Sequence, residues 1–238
     1  AALALLGRLR RAAGETLSAF ELIGGQGLRF LDAVMPDTPI PFAERPDWSV
    51  LCELSGGEGA GLSARLETAL MAAIERGEAR DALIAQNETQ RAAFWAMREG
   101  IPEANRLVGA IASHDISVPI SKIPDFIEDC GAALAKRDPA IRINCFGHVG
   151  DGNLHYNLYP PEGGSKADYV DIREALSEVV HEMADRFGGS ISAEHGIGRL
   201  KVDALERFGD PVKLAAMRQI KMALDPNGIL NPGAVLRF

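Results

Sequence analysis

The sequence predicts an α+β fold in which helices cover a largely antiparallel sheet. Segments with apolar residues at helical spacing alternate with short apolar runs along the 238 residues. Several of these short runs alternate apolar with polar residues, as strands do in a sheet with one covered face. The pattern favours this fold over a doubly wound parallel sheet, whose strands are apolar on both faces. Because no repeat, low-complexity tract or long linker interrupts the chain, residues 1–238 are expected to form one domain.

The first half of the chain is predicted to begin with three helices and three strands. In order, these are a helix over 3–13, a strand over 17–23, a helix over 28–34, a strand over 48–54, a helix over 62–75 and a strand over 81–86. Asn87 and Gln90 then resemble a capping box that begins a further helix through Arg98. Gly100 and Pro102 are expected to end that helix.

The second half is predicted to carry a hairpin between helices. The elements in order are a strand over 116–120, a helix over 124–136, strands over 141–146 and 154–159, a helix over 172–187 and a helix from 210 to about 225. Apolar residues four, three, four and four positions apart predict the helix over 172–187. Asp210-Pro211 is a cap followed by proline at the first helical position.

Charge and cysteine content exclude some classes of protein. There are 33 acidic and 25 basic residues, a net charge of −8, which is the wrong sign for a non-specific nucleic-acid binder. No apolar run approaches the roughly 18 residues of a membrane span. The three cysteines form no C-x-x-C pair and lie among apolar neighbours, so buried reduced thiols and a cytoplasmic location are expected.

The segment 147–157 is the most informative for chemistry. If Asp151 and Gly152 are the central residues of a type I′ turn, His148 faces His155 across the hairpin. Opposed residues have Cβ atoms about 4.5–5.5 Å apart, so the two imidazoles can bind one ion. Asn157 projects from the same face. The alternative is a hairpin whose histidines are only half-exposed polar residues.

Three other features have both a functional and a structural interpretation. Glu194 and His195 lie between small residues in 192–198 and can supply a metal ligand and an acid/base group, or form a surface pair with glycine turns. Arg98 at the predicted end of its helix can bind an anion or simply complement the helix dipole. The glycine-rich segment 56–61 lacks the spacing and the lysine of a phosphate loop and carries Glu58, so a phosphate site is excluded.

Together these residues resemble the C-terminal, substrate-side domain of FAD-linked oxidases of the vanillyl-alcohol oxidase type. The most similar branch is that of the D-lactate, glycolate and D-2-hydroxyglutarate dehydrogenases. The resemblance extends over nearly the whole chain and rests on the segments 95–99, 114–119, 147–155, 192–198 and 225–233. It implies a ferredoxin-like, largely antiparallel sheet covered by helices.

The resemblance also implies an activity and a set of site residues. The activity is oxidation of a D-2-hydroxy acid to a 2-oxo acid, with hydride transfer to FAD. The implied roles are metal binding by His148, His155 and Glu194, with zinc as the expected ion, catalysis and substrate binding by His195, substrate binding by Arg98 and Asn157, and flavin contact by Asn231. Two rival functions use the same His/His/Glu set: metal-dependent hydrolysis and non-catalytic metal binding.

The resemblance implies partners as well. A flavin-binding N-terminal domain is expected outside these 238 residues, and without it the chain is expected not to turn over substrate. An apolar surface near Asn231 is expected to favour a homodimer. Relatives often carry lysine at the position of Ser113, and some hydroxyglutarate enzymes carry threonine at the position of Pro102. These two departures argue against a substrate with a second carboxylate. The electron acceptor is not predicted from the sequence.

Overall fold

One antiparallel sheet forms the centre of the fold. The structure is a computed structural model that describes residues 1–57 and 59–237, so Glu58 of the glycine-rich segment lies outside the described residues. Within that part of the chain the strands are β1 (Leu17–Gly24), β2 (Trp48–Leu54), β3 (Ala112–Ser117), β4 (Arg142–His148) and β5 (Asn153–Tyr159). They are arranged in the order β2-β1-β4-β5-β3, and every neighbouring pair is antiparallel. The predicted α+β fold with an antiparallel sheet is therefore confirmed.

Helices pack on both faces of this sheet. The described helices are α1 (Ala2–Ala13), α2 (Gly25–Val34), α3 (Leu62–Glu75), α4 (Glu88–Val108), α5 (Ile123–Ala135), α6 (Arg173–Arg186), α7 (Val202–Phe208) and α8 (Pro211–Leu224). The larger apolar core joins α1, α3, α5 and α6 to one face. A smaller core joins α2 and α4 to the other face, through residues such as Ile23 and Phe146. The expectation of one covered face was therefore incomplete, because the second face is covered in part and carries the polar site beside its core.

Helix α4 continues well beyond its predicted end at Arg98, as far as Val108. Asn87 caps it as predicted, since its side chain accepts a hydrogen bond from the Gln90 N–H at 3.0 Å. Gly100 does not end the helix; a Cβ there would lie 3.1 Å from Leu31 of α2, so the glycine permits close packing of the two helices. Burial of the following turn against α2 outweighs the cost of Pro102 within the helix. Arg98 consequently lies inside the helix, and its predicted place at a helix end was wrong.

Two strand predictions also differ from the structure. Residues 81–86 form no strand, and β3 lies over Ala112–Ser117 instead of 116–120. Helix α7 was not predicted. The Asp210 cap is confirmed, because its carboxylate accepts hydrogen bonds from two backbone N–H groups at the start of α8.

The hairpin turn has a different type from the one predicted. Val149–Asp151 form a 3₁₀ turn, and only Gly152 of the Asp-Gly pair has positive φ, at 79°. His155 is paired with Phe146 instead of His148. Because the register differs by two residues, and side chains alternate with a period of two, His148 and His155 still share one face.

The cysteines are unpaired and largely buried, as the sequence predicts. Cys130 and Cys145 are buried, Cys52 is half-buried, and all three are free thiols. Over residues 1–57 and 59–237, each helix falls short of the length or the apolar character that crossing a membrane requires.

Candidate functional site

The centre of the candidate site is a cluster of two imidazoles and one carboxylate. His148 ends β4, His155 lies in β5, and Glu194 lies in the loop after α6. One potential ligand atom from each residue lies within 4.8 Å of the others. The His148 and His155 rings are 5.9 Å apart between centroids, and Nε2 of His148 is 3.7 Å from Glu194 Oε1. The structure thus brings together the three residues to which the family resemblance assigns metal binding.

A buried ion pair lies directly beside this cluster. Glu21 of β1 is the cross-strand partner of His148, and its carboxylate oxygen Oε1 is 2.6 Å from His148 Nδ1. The other oxygen accepts a hydrogen bond from Nε of Arg98 at 2.9 Å and lies 2.7 Å from Nη2 of the same guanidinium. The side chains of Glu21 and Arg98 are 5% and 7% exposed. The Arg98 guanidinium also lies over the Phe146 ring, 4.9 Å from its centroid.

Asp115 of β3 holds the loop that carries Glu194 and His195. One of its carboxylate oxygens accepts the backbone N–H groups of Glu194 and His195, at 2.7 and 2.8 Å. The other accepts a hydrogen bond from the Asn153 amide at 2.7 Å. Burial raises the pKa of Asp115, but these three donors and the nearby His195 ring lower it more, so the pKa lies below its ordinary value. Asp115 is therefore a fixed anion at the base of the loop.

The loop is also tied to β3 through its backbone. Ser190 and Ser117 exchange two backbone hydrogen bonds, and the Ala193 N–H donates to the Asp115 carbonyl. Gly189 makes this approach possible, because a Cβ there would clash with the Ser117 carbonyl and lie 2.9 Å from Val118. The sequence prediction of a loop set against rigid elements is confirmed.

The imidazoles of the site differ in their environments. His155 lies against Phe146, and burial lowers its pKa to about 4 despite the nearby Asp115. A neutral imidazole at neutral pH is the form that binds a metal. The His195 side chain is 66% exposed, with Nδ1 3.9 Å from Asp115, and its ring stacks on His155 at 5.8 Å. His195 is thus open to an incoming ligand on one side and faces a carboxylate on the other.

Asp115, His155 and His195 form a second group whose ligand atoms lie within 4.8 Å of one another. Asp115 is already committed to three hydrogen-bond donors, whereas Glu194 is half exposed and directs its carboxylate towards His148. The first group, with Glu194, is therefore the better candidate metal centre.

The family described as FAD linked oxidases, C-terminal domain, matches residues 1–235. The chain belongs to this family. The resemblance proposed from the sequence is therefore confirmed.

The relatives of this FAD-linked oxidase C-terminal domain are longer proteins. It is 35% identical over 233 residues to the mitochondrial D-2-hydroxyglutarate dehydrogenase of Arabidopsis thaliana, and the match covers 98% of this chain and 40% of that protein. It is 37% identical over 217 residues to the D-2-hydroxyglutarate dehydrogenase of Xanthomonas citri pv. viticola, and the match covers 91% of this chain and 45% of that protein. The chain thus spans less than half the length of these relatives.

Two solved structures share the fold. The structure of p-cresol methylhydroxylase with substrate bound aligns with a TM-score of 0.62 at 12% identity, covering 99% of this chain and 50% of that one. The 4-ethylphenol oxidase from Gulosibacter chungangensis, in its isoeugenol complex, aligns with a TM-score of 0.59 at 15% identity, covering 99% of this chain and 51% of that one. At these identities the likeness concerns the fold.

The remaining predicted residues of the domain have different positions. Asn157 is buried on the face of His155, and its side-chain oxygen accepts the His114 backbone N–H at 3.2 Å. Ser113 is the exposed cross-strand neighbour of Asn157. Asn231 lies in an exposed turn near the end of the chain with a φ of 48°. Within residues 1–57 and 59–237, no hydrogen bond or ion pair links Asn231 to the histidine cluster.

The sequence analysis missed two site residues, Glu21 and Asp115. Asp115 was within the segment that carried the family resemblance but was given no role. Glu21 is a single glutamate in an apolar strand, between Phe20 and Leu22. A charged residue at a position predicted to be buried was the available signal, because such a residue is rarely buried unless it has a partner.

Proposed function

We propose that this chain is the substrate- and metal-binding domain of a flavin-dependent dehydrogenase that oxidises a D-2-hydroxy acid to the 2-oxo acid. The convergence of His148, His155 and Glu194 beside Arg98 is the observation that carries the proposal. The names of the relatives, D-2-hydroxyglutarate dehydrogenases, support this substrate class.

The donor set fits a divalent metal of the zinc type. Two imidazoles and one carboxylate are a common ligand set for catalytic zinc and leave coordination positions for a substrate. His148, His155 and Glu194 would hold the ion, which would act as a Lewis acid on the substrate hydroxyl.

Arg98 is proposed to bind the substrate carboxylate. Its ion pair with Glu21 involves the Nε–H and Nη2 of the guanidinium, so the N–H groups of Nη1 remain outside that pair. These donors can form a charge-assisted hydrogen-bonded contact with a carboxylate. Asn157 is proposed to contact the substrate from the same face of β5.

His195 is proposed to take the hydroxyl proton. Its exposure lets the ring approach a bound substrate, and Asp115 behind it stabilises the imidazolium that forms. FAD, held mainly by a domain outside this chain, supplies the hydride acceptor. Asn231 is proposed to contact the flavin, since the neighbouring Ile229 and Leu230 expose 71% and 59% of their area, a surface suited to cover an aromatic ring system.

The test uses the purified full-length protein with its flavin. Bleaching of the flavin absorbance is followed after addition of D-lactate, D-2-hydroxyglutarate or the L enantiomers. We expect bleaching by a D acid, and Ser113 predicts preference for the acid with one carboxylate. Glu194→Gln is expected to lower the affinity for Zn²⁺, whereas His195→Asn leaves it unchanged and slows flavin reduction by about 10²–10⁴-fold.

A matched control is His181→Asn, since His181 lies on α6 and contacts His114 and Phe208 instead of the cluster. It should change neither quantity. Failure of all D-2-hydroxy acids to reduce the flavin would contradict the proposed activity. Equal loss of Zn²⁺ from Glu194→Gln and His195→Asn would show that His195 is a ligand and not the base.

A further inference from the structure

Glu21 is a carboxylate that contacts both halves of the candidate site. Its two oxygens contact different partners: Oε1 contacts Nδ1 of His148, and Oε2 contacts Nε and Nη2 of Arg98. We infer that Glu21 is a positioning residue that couples the metal site to the substrate-binding arginine. The inference rests on the proposed function, in which His148 binds metal and Arg98 binds the substrate carboxylate.

The first part of the argument concerns the tautomer of His148. A neutral imidazole has one N–H, and a carboxylate 2.6 Å from Nδ1 draws that proton to Nδ1. Nε2 then carries the free electron pair, and this is the atom that faces Glu194 at 3.7 Å. Carboxylate-oriented imidazoles of this kind are more basic ligands with a fixed ring orientation.

The second part concerns Arg98. Glu21 accepts the Nε–H of the guanidinium and lies 2.7 Å from the adjacent Nη2, while the Phe146 ring centroid lies 4.9 Å from its central carbon. A guanidinium held at one edge and over one face has a defined orientation, so its remaining N–H groups point in fixed directions. Preorganisation of this kind lowers the entropy lost when a carboxylate binds.

The third part concerns the position of Glu21 itself. It lies in β1, between β2 and β4, and is the direct cross-strand neighbour of His148. Its side chain is 5% exposed and lies on a strand, so it has little freedom to move. One rigid carboxylate thereby fixes two side chains that approach from β4 and α4.

The experiment compares Glu21→Gln with Glu53→Gln in the full-length protein. Glu53 is the matched control, because it also joins a strand to α4, through Arg91 and Trp95, but lies away from the cluster. We expect Glu21→Gln to weaken Zn²⁺ binding by about 10–100-fold and to raise the KM for the 2-hydroxy acid by at least about tenfold. The kcat measured at saturating Zn²⁺ and substrate should fall by a much smaller factor than the factor by which the KM rises. Glu53→Gln should leave Zn²⁺ affinity and KM unchanged.

A purely structural role for Glu21 predicts another result. In that case Glu21→Gln would lower the folded fraction and the Tm, while the Zn²⁺ affinity and the KM of the folded protein stayed at the wild-type values. That result would overturn the inference. If Glu21→Gln does not fold, Arg98→Met and the double variant Glu21→Gln/Arg98→Met replace it, since the double variant leaves no unpaired buried charge. The double variant must bind Zn²⁺ at least about tenfold more weakly than Arg98→Met alone; equal affinity would overturn the inference.

A third measurement separates this inference from the proposed function. Nitrogen-15 NMR of the metal-free protein at alkaline pH reports the tautomer of each histidine. We expect His148 to be protonated at Nδ1 in the wild type and to lose that preference in Glu21→Gln. Absence of the preference in the wild type would overturn the inference, whereas its presence in a protein that oxidises no 2-hydroxy acid would count against the activity alone.

Discussion

Replacing Asp115 with asparagine tests how the loop that carries Glu194 and His195 is held. The Asp115 carboxylate accepts three hydrogen bonds at 2.7–2.8 Å, two of them from the backbone N–H groups of Glu194 and His195. A hydrogen bond to a charged acceptor contributes about 1.5–3 kcal/mol, against about 1 kcal/mol for a neutral one. The amide introduced by Asp115→Asn is neutral, and only its oxygen accepts hydrogen bonds. With that oxygen in the place of Oδ2, the two backbone bonds to the loop are kept in neutral form at a cost of roughly 1 kcal/mol each, about 2 kcal/mol in total, and the NH2 group replaces the acceptor of the Asn153 amide.

The cost should appear mainly as local opening of the loop. At about 1.4 kcal/mol per factor of ten, about 2 kcal/mol corresponds to amide exchange roughly 30-fold faster at Glu194 and His195. Hydrogen exchange measured by NMR gives both rates. Asp138→Asn is the control, because Asp138 also accepts a backbone N–H and a side-chain hydroxyl but packs against Tyr169 on another part of the surface.

Unchanged exchange at Glu194 and His195 in Asp115→Asn would refute this reasoning. It would mean that the backbone pairing of Ser117 with Ser190 is sufficient to hold the loop. Faster exchange in Asp138→Asn as well would indicate a general loss of stability instead of a local one.

Two further predictions concern packing and thiols. Gly189→Ala should destabilise the protein by about 3 kcal/mol, a fall in Tm on the order of 10 °C, because its Cβ would meet the Ser117 backbone. The control variant Gly7→Ala should keep the wild-type Tm, because its Cβ meets only the flexible end of Arg11. Equal Tm values for the two variants would contradict the packing argument. Burial raises the pKa of the Cys52 and Cys130 thiols to about 11 and about 12, so above pH ~9 the unfolded thiols lose protons that the folded ones keep. The free energy of unfolding should therefore fall between about pH 9 and 11, less steeply in Cys130→Ala, and an aromatic disulfide reagent at about pH 8 should react slowly until the protein is unfolded; rapid labelling of the folded protein would contradict this.

The convergence of the two histidines could be predicted although the turn between them was not. The Asp-Gly pair indicated a hairpin, and the period of two along a strand placed His148 and His155 on one face whether the register differed by two residues or not. A type I′ turn requires positive φ at both central residues, but Asp151 belongs to the 3₁₀ turn over Val149–Asp151 and only Gly152 has positive φ. Position on a face is therefore a more robust prediction than a pairing partner.

Other features depended on contacts that a single sequence does not show. The helix containing Arg98 passes Gly100 because α2 packs against that glycine, a contact between segments far apart along the chain. Glu21 gains its role only when β1 and β4 are neighbours. The metal, the flavin contact of Asn231, the homodimer and the cytoplasmic location stay predictions.

The position of β1 in the middle of the sheet has a consequence for folding. Glu21 and His148 are 127 residues apart, and β1 lies between β2 and β4. On a ribosome, β1 and β2 can pair early, but the other edge of β1 keeps unpaired N–H and C=O groups until β4 has been made. An open apolar strand edge is a template for pairing with other chains. A nascent chain that stalls before Arg142 therefore exposes this unpaired edge of β1, and we expect the histidine cluster to be among the last parts of the molecule to form.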